Sequence, residues 1–122
     1  MDAIDQLISY NRTTGLLQSV AGRNAWDQET MMPPKSGNSR AMEMGALEEV
    51  IHDRKKNSTV RKLLEEAEPK TLFQKRAYII IKRDFDRAVA IPSKLASDMA
   101  ATTSLAQMAW QQARQNNDFS EF

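Results

Sequence analysis

The four prolines of the chain fall at only three places, Pro33-Pro34, Pro69 and Pro92, and between them apolar residues recur at helical rather than alternating spacing. A proline inside a helix removes an N–H donor and drives its ring against the carbonyl four residues back, so helices must stop or restart at these points. With 122 residues there is room for one hydrophobic core and not for two. The pattern predicts an all-α fold: a single bundle-like domain of about five helices over residues 1–122.

Ile4, Leu7 and Ile8 begin a stripe that drifts to Leu17, Val20 and Ala21 past Gly15, which predicts a first helix over residues 3–26 with a place to kink. Ser36, Asn38 or Ser39 can cap a second helix, whose Met44, Leu47 and Ile51 share a face and which ends near Asn57. Ser58 is the predicted cap of a short third helix that packs Val60, Leu63, Leu64 and Ala67 ahead of Pro69. A fourth covers residues 71–90, with Phe73, Ala77, Ile80, Ile81, Phe85 and Ala88 in one arc. Pro92, tolerated in a first turn, opens a fifth, where Leu95, Met99, Thr102, Ala106, Ala109 and Ala113 follow a seven-residue spacing and predict a packing stripe of small residues. Short connections at Asn57, Pro69 and Pro92 predict helices that double back or bend sharply in an antiparallel-leaning bundle. Asp118 and Glu121 have capping-box spacing, so the chain reads as truncated before a sixth helix.

Seventeen basic residues against 16 acidic give a net charge of +1, which supplies no overall field for nucleic acid or an anionic membrane. The absence of cysteine excludes disulfides and thiolate metal sites and suits a reducing compartment. Residues 1–9 carry Asp2 and Asp5 and no basic residue, and no apolar run approaches membrane-spanning length. A cytoplasmic location is expected.

The inventory for catalysis is thin. His52 is the only histidine, so a His-Glu-x-x-His zinc motif cannot be assembled and a serine nucleophile would have only one candidate base. Glu49-Val50-Ile51-His52 matches one half of a dimetal-bundle unit, but such sites need two copies, and a surface histidine beside Asp53 is the expectation. Gly37 stands alone and cannot form a phosphate loop. No catalytic and no metal-binding residue is therefore assigned within the chain.

Arg76, Arg83 and Arg87 fall within a narrow arc of the fourth helix, flanked by Lys75 and Lys82. A self-contained helical adaptor that binds a partner helix or RNA through this edge is the alternative reading, although Asp84 and Asp86 cancel much of its field. Asp84 sits inside the apolar arc, which predicts a buried carboxylate paired with Arg40 or with a fourth-helix arginine such as Arg87. Arg40 heads the stripe of Met44, Leu47 and Ile51 and is the matching ion-pair candidate.

The most specific stretch is Trp26-Asp27-Gln28-Glu29-Thr30-Met31-Met32-Pro33-Pro34, with Arg40-Ala41 beyond it. It resembles the N-terminal region of the carboxypeptidase Taq family of metallocarboxypeptidases, which typically reads Trp-Asp-Gln-Glu-Thr-x-Met-Pro. Residues 63–68, then Arg83-Asp84-Phe85-Asp86-Arg87-Ala88 and Pro92, then residues 103–110 and 113–119, resemble that family in the same order. Lys35-Ser36-Gly37-Asn38-Ser39 departs from it, standing where a Gly- and Ala-rich loop is usual. The resemblance implies an all-helical peptidase, often a homodimer, that removes C-terminal residues from peptides with one zinc, or with cobalt in its place. It also implies that the metal ligands and general base lie beyond residue 122. Residues 1–122 would then be an N-terminal helical domain that walls or covers the substrate groove, with the rest of the parent chain and peptide substrates as partners and neither nucleic acid nor membrane. Its groove candidates are Trp26, Asp27, Gln28, Glu29, Thr30 and Arg40.

Overall fold

Most helices begin where a short polar side chain can take up free N–H groups. In the computed structural model, which describes all 122 residues, the Asp2 carboxylate accepts the Asp5 N–H at 3.1 Å and opens α1 (Ala3–Thr30). α1 runs four residues beyond the predicted end, because only the Pro33-Pro34 pair stops it, and the N–H groups of Met31 and Met32 close on the Asp27 carbonyl. A single 3-10 turn, Pro34–Ser36, leads into α2 (Gly37–Lys55). α3 (Ser58–Glu66) is capped by Asn57 rather than by Ser58: the Asn57 side chain accepts the Thr59 N–H at 2.8 Å. α4 (Leu72–Val89) opens with a complete capping box, in which the Thr71 hydroxyl accepts the Gln74 N–H and the Gln74 side chain accepts the Thr71 N–H. Pro92 is the N-cap of α5 (Ser93–Asn116).

α5 ends at Asn117, whose φ of 49° is left-handed. The Asn117 N–H bonds the Arg114 carbonyl and the Asp118 N–H reaches back to Ala113, a Schellman closure that satisfies two otherwise free carbonyls. Over residues 118–122 the chain forms turns, with the Asp118 carboxylate accepting the Ser120 N–H at 3.1 Å. There is no strand, so the all-α class holds. No helix is long and apolar enough to cross a membrane.

At 1.5 Å per residue the 28 residues of α1 span about 42 Å, and its two halves meet different neighbours. The first half packs Ile4 and Leu7 against Val60, Leu63 and Leu64 of α3 and Ile81 and Phe85 of α4. The second half lies along α2 and reaches α5. α2 runs antiparallel to α1, since Arg40 at its start bonds the Asn24 carbonyl while the Tyr10 hydroxyl bonds the carbonyl of Arg54 at its end. α5 in turn runs antiparallel to α2: the Ser93 hydroxyl donates to the Asp53 carboxylate and the Ser97 hydroxyl to the Gly45 carbonyl. Pro92 does not fold α5 back on α4. The two share no extended interface, because α4 is seated on α1 and α3 and α5 on α2.

Two predicted faces are displaced. On α4, Ile81, Phe85 and Ala88 are buried while Phe73 and Ile80 are exposed, because α4 has neighbours on only one side. On α5 the buried positions are Ala96, Ser104 and Ala113; of the predicted stripe Ala113 is buried and Ala109 half-buried, whereas Leu95, Met99, Thr102 and Ala106 face solvent. A shift of one residue turns a helix face by 100°, and the seam with α2 decides which face is used. That seam is built on close approach. A Cβ on Gly45 would stand 3.2 Å from the Ser97 Oγ and 3.4 Å from the Ala101 Cβ, and one on Gly37 would overlap the Met108 thioether.

Candidate functional site

The last two turns of α1 present the Trp26–Thr30 segment in three directions. Asp27 faces α2, where its carboxylate accepts a 2.7 Å hydrogen bond from Arg40, and the same guanidinium donates to the Asn24 carbonyl at 2.7 Å. Gln28 faces α5 and is only 7% exposed. Its amide donates to the Ser104 carbonyl and accepts from the Ser104 hydroxyl, both at 2.8 Å, so every polar atom of this buried pair has a partner. Trp26 points outward, 63% exposed, and the Thr30 hydroxyl turns back onto the Trp26 carbonyl. Of the six predicted groove residues, Glu29 and Thr30 combine exposure with a place on a cleft rim: Thr30 borders a cleft towards Trp110, and Glu29 borders that one and another between the helices.

The cleft between the helices has a volume of about 550 Å³ and is bounded by α1, α2, the end of α4 and α5. Ala25, Gln28 and Glu29 form one wall, and Glu48, His52 and Lys55 of α2 another. Asp84, Arg87 and Ile91 close one end, and α5 contributes Ala96, Met99 and Thr103. Its lining mixes apolar residues with charges of both signs.

Three predicted groups stand differently from expectation. Arg40 takes Asp27, with Glu43 at 3.6 Å, and not Asp84. Asp84 does pair with a fourth-helix arginine, its neighbour Arg83 at 3.3 Å, but its side chain is 37% exposed rather than buried, because the cleft keeps that side of α4 open to water. Arg87 lines the cleft instead of pairing with Asp84. The basic edge is interrupted as its sequence suggested: Arg83 is on Asp84, and Lys82 is 2.8 Å from Asp86. The Asp86 hydrogen bond, then its charge, raise the Lys82 ammonium above its ordinary value. Nothing in this edge favours RNA over a solvated surface.

His52 is the residue that sequence reasoning misplaced. It is 5% exposed, and its Nε2 lies 2.6 Å from the Ile91 carbonyl, which can only accept, so that nitrogen carries the hydrogen. The imidazole thereby ties the end of α2 to the α4–α5 joint. Only the return of the chain at Pro92 brings Ile91 to it, a contact 39 residues away in sequence.

The Carboxypeptidase Taq (M32) metallopeptidase family matches residues 6–122. The chain belongs to this family. Thermostable carboxypeptidase 1 of Thermus thermophilus is 33% identical over 126 residues, covering 98% of this chain and 25% of that protein. Its namesake in Pyrococcus furiosus is 30% identical over 127 residues, covering 99% of this chain and 25% of that protein. The M32 chain therefore spans about a quarter of the length of these relatives. No solved structure matches it. The family is one of metallopeptidases, but the residues of this M32 chain do not fit a metal centre. No three His, Asp or Glu side chains converge, and the sole imidazole is buried with one nitrogen engaged on a carbonyl.

Proposed function

We propose that this chain is the N-terminal part of a metal-dependent carboxypeptidase and forms one wall of its peptide groove, while the metal and the reacting groups belong to the rest of the parent. The observation that carries this reading is the cleft beside α1, whose wall includes Gln28 and Glu29 of the motif typical of the family. Asp27 and Gln28 support it indirectly: bonded to Arg40 and Ser104, they hold the end of α1 at a set distance from α2 and α5. Glu29, Lys55 and Arg87 on the rim would orient a peptide by its backbone and termini, and the apolar lining would receive its side chains. The chain alone is non-catalytic in this reading. Zinc, or cobalt in its place, would supply the activated water in the intact protein, which we place in the cytoplasm as a homodimer.

The test is release of a C-terminal residue from a blocked dipeptide by residues 1–122, by the remaining portion of the parent, and by the two mixed. Turnover only in the mixture is the expected result. Turnover by residues 1–122 alone, or full activity of the remainder without them, overturns the proposal.

A further inference from the structure

α5 differs from the other long helices in lacking a charged outer face. Its 24 residues include only Lys94, Asp98 and Arg114, and residues 99–113 contain no charge at all. α4, with 18 residues, carries seven charged side chains. One face of α5 is already seated on α2 through Ala96 and Ser104. A second face, turned by about 100° from the first, carries Leu95, Met99, Thr102, Ala106 and Trp110 in the three- and four-residue steps of a helix-packing seam, with Met99 57% exposed. A helix apolar or uncharged on two faces belongs between two layers, and here only one layer is present.

We infer that the outward stripe of α5 is the docking face for a helix from the portion of the parent protein outside residues 1–122, and that this helix forms the far wall of the cleft. The inference rests on the reading of the chain as part of a longer carboxypeptidase. Its relatives extend over about four times the matched length, and on that reading a comparable body of protein would be there to cover the stripe. Thr102 and Ala106 at its centre are small, which allows a helix axis to approach closely. The lack of charge points to a permanent contact, since transient partners usually meet at surfaces with a polar rim. Met99 belongs to both the stripe and the cleft, so a helix laid on the one bounds the other.

The experiment compares Ala106→Arg in residues 1–122 and in the full-length parent by thermal melting. Ala106 is exposed in residues 1–122, so the substitution should leave their melting temperature within about 1 °C, whereas in the full-length protein a buried arginine should lower it by about 5 °C or more. Ala106→Ser should be tolerated in both. Equal melting shifts in the two settings overturn the inference. So does sedimentation of residues 1–122 as a dimer that Ala106→Arg dissociates, which would make a second copy the occupant. Assaying the full-length protein for C-terminal residue release separates the two readings. A melting difference without peptidase activity keeps the docking face and removes the groove, and activity without a melting difference does the reverse.

Discussion

The two ends of α1 are held by different means. Near its start, Ile4 and Leu7 are enclosed by aliphatic and aromatic side chains of α3 and α4, so cohesion comes from apolar volume removed from water. Near its end the neighbours are small or polar: Gly37, Ala41, Gly45 and Ser104 are buried, and Arg40 and Gln28 make directed bonds. The first kind of contact tolerates a change of shape better than a loss of bulk. The second tolerates neither added volume nor a missing partner, and it is the one that borders the cleft.

The largest expected effect belongs to the bulky end. Leu7 is fully buried, and Leu7→Ala should destabilise the protein by about 4 kcal/mol in urea unfolding, through lost transfer energy and the cavity left behind. Hydrogen exchange should then quicken more in α3 and α4 than in α2 and α5. Equal acceleration would merge the two ends into one cooperative unit and break the comparison.

Gly45→Leu probes the small-residue seam in the opposite sense, by addition. With Ser97 and Ala101 already at contact distance from a Cβ there, the larger side chain should wedge α2 from α5 and cost about 2 kcal/mol. Unchanged unfolding would mean that the seam is looser than these distances state. Ser104→Ala tests the polar bonding without changing volume much. It leaves the buried Gln28 carbonyl oxygen without its hydroxyl donor, for an expected loss of about 1.5 kcal/mol in the same unfolding assay. If Gln28→Leu combined with Ser104→Ala recovers part of that loss, the penalty arises from the stranded group.

The smallest effect lies at the turn beyond α5. Asp118 is held below the ordinary carboxylate value by the Ser120 backbone N–H, then by the Ser120 hydroxyl, against a smaller opposing influence of burial. A lowered folded value means that the turn's contribution is fully present above the unfolded value of 3.8 and fades as pH falls through the folded one. A carboxyl resonance of Asp118 followed by NMR should titrate below 3.8, and Ser120→Ala should move its midpoint upward while the unfolding of α1 to α4 stays the same.

Much of the fold was legible along the chain. Prolines and apolar spacing located all five helices, and Val60, Leu63 and Leu64 are buried as the short amphipathic pattern of α3 required. Legibility failed where a helix has two usable faces. The stripe from Leu95 to Ala106 satisfies the packing pattern as well as the true one does, and only the position of α2 selects the neighbouring face. In the candidate site, the Trp26–Thr30 segment stood out by its residues, but the different tasks of Asp27, Gln28 and Glu29 depend on helix rotation relative to two partners.

What this sequence determined by itself is therefore local and periodic: all-helical structure, breaks at three proline positions, and a charge balance without a dominant field. Tertiary structure alone decided the pairings that span the chain. Arg40 could have answered Asp84, yet α2 runs back along α1 and delivers it to Asp27. His52 could have faced water, yet the chain turning at Pro92 brings the Ile91 carbonyl to its ring. Periodicity specifies which residues share a helix face, but the partner of that face depends on directions set by the connections, and a one-residue displacement rotates every side chain by 100°.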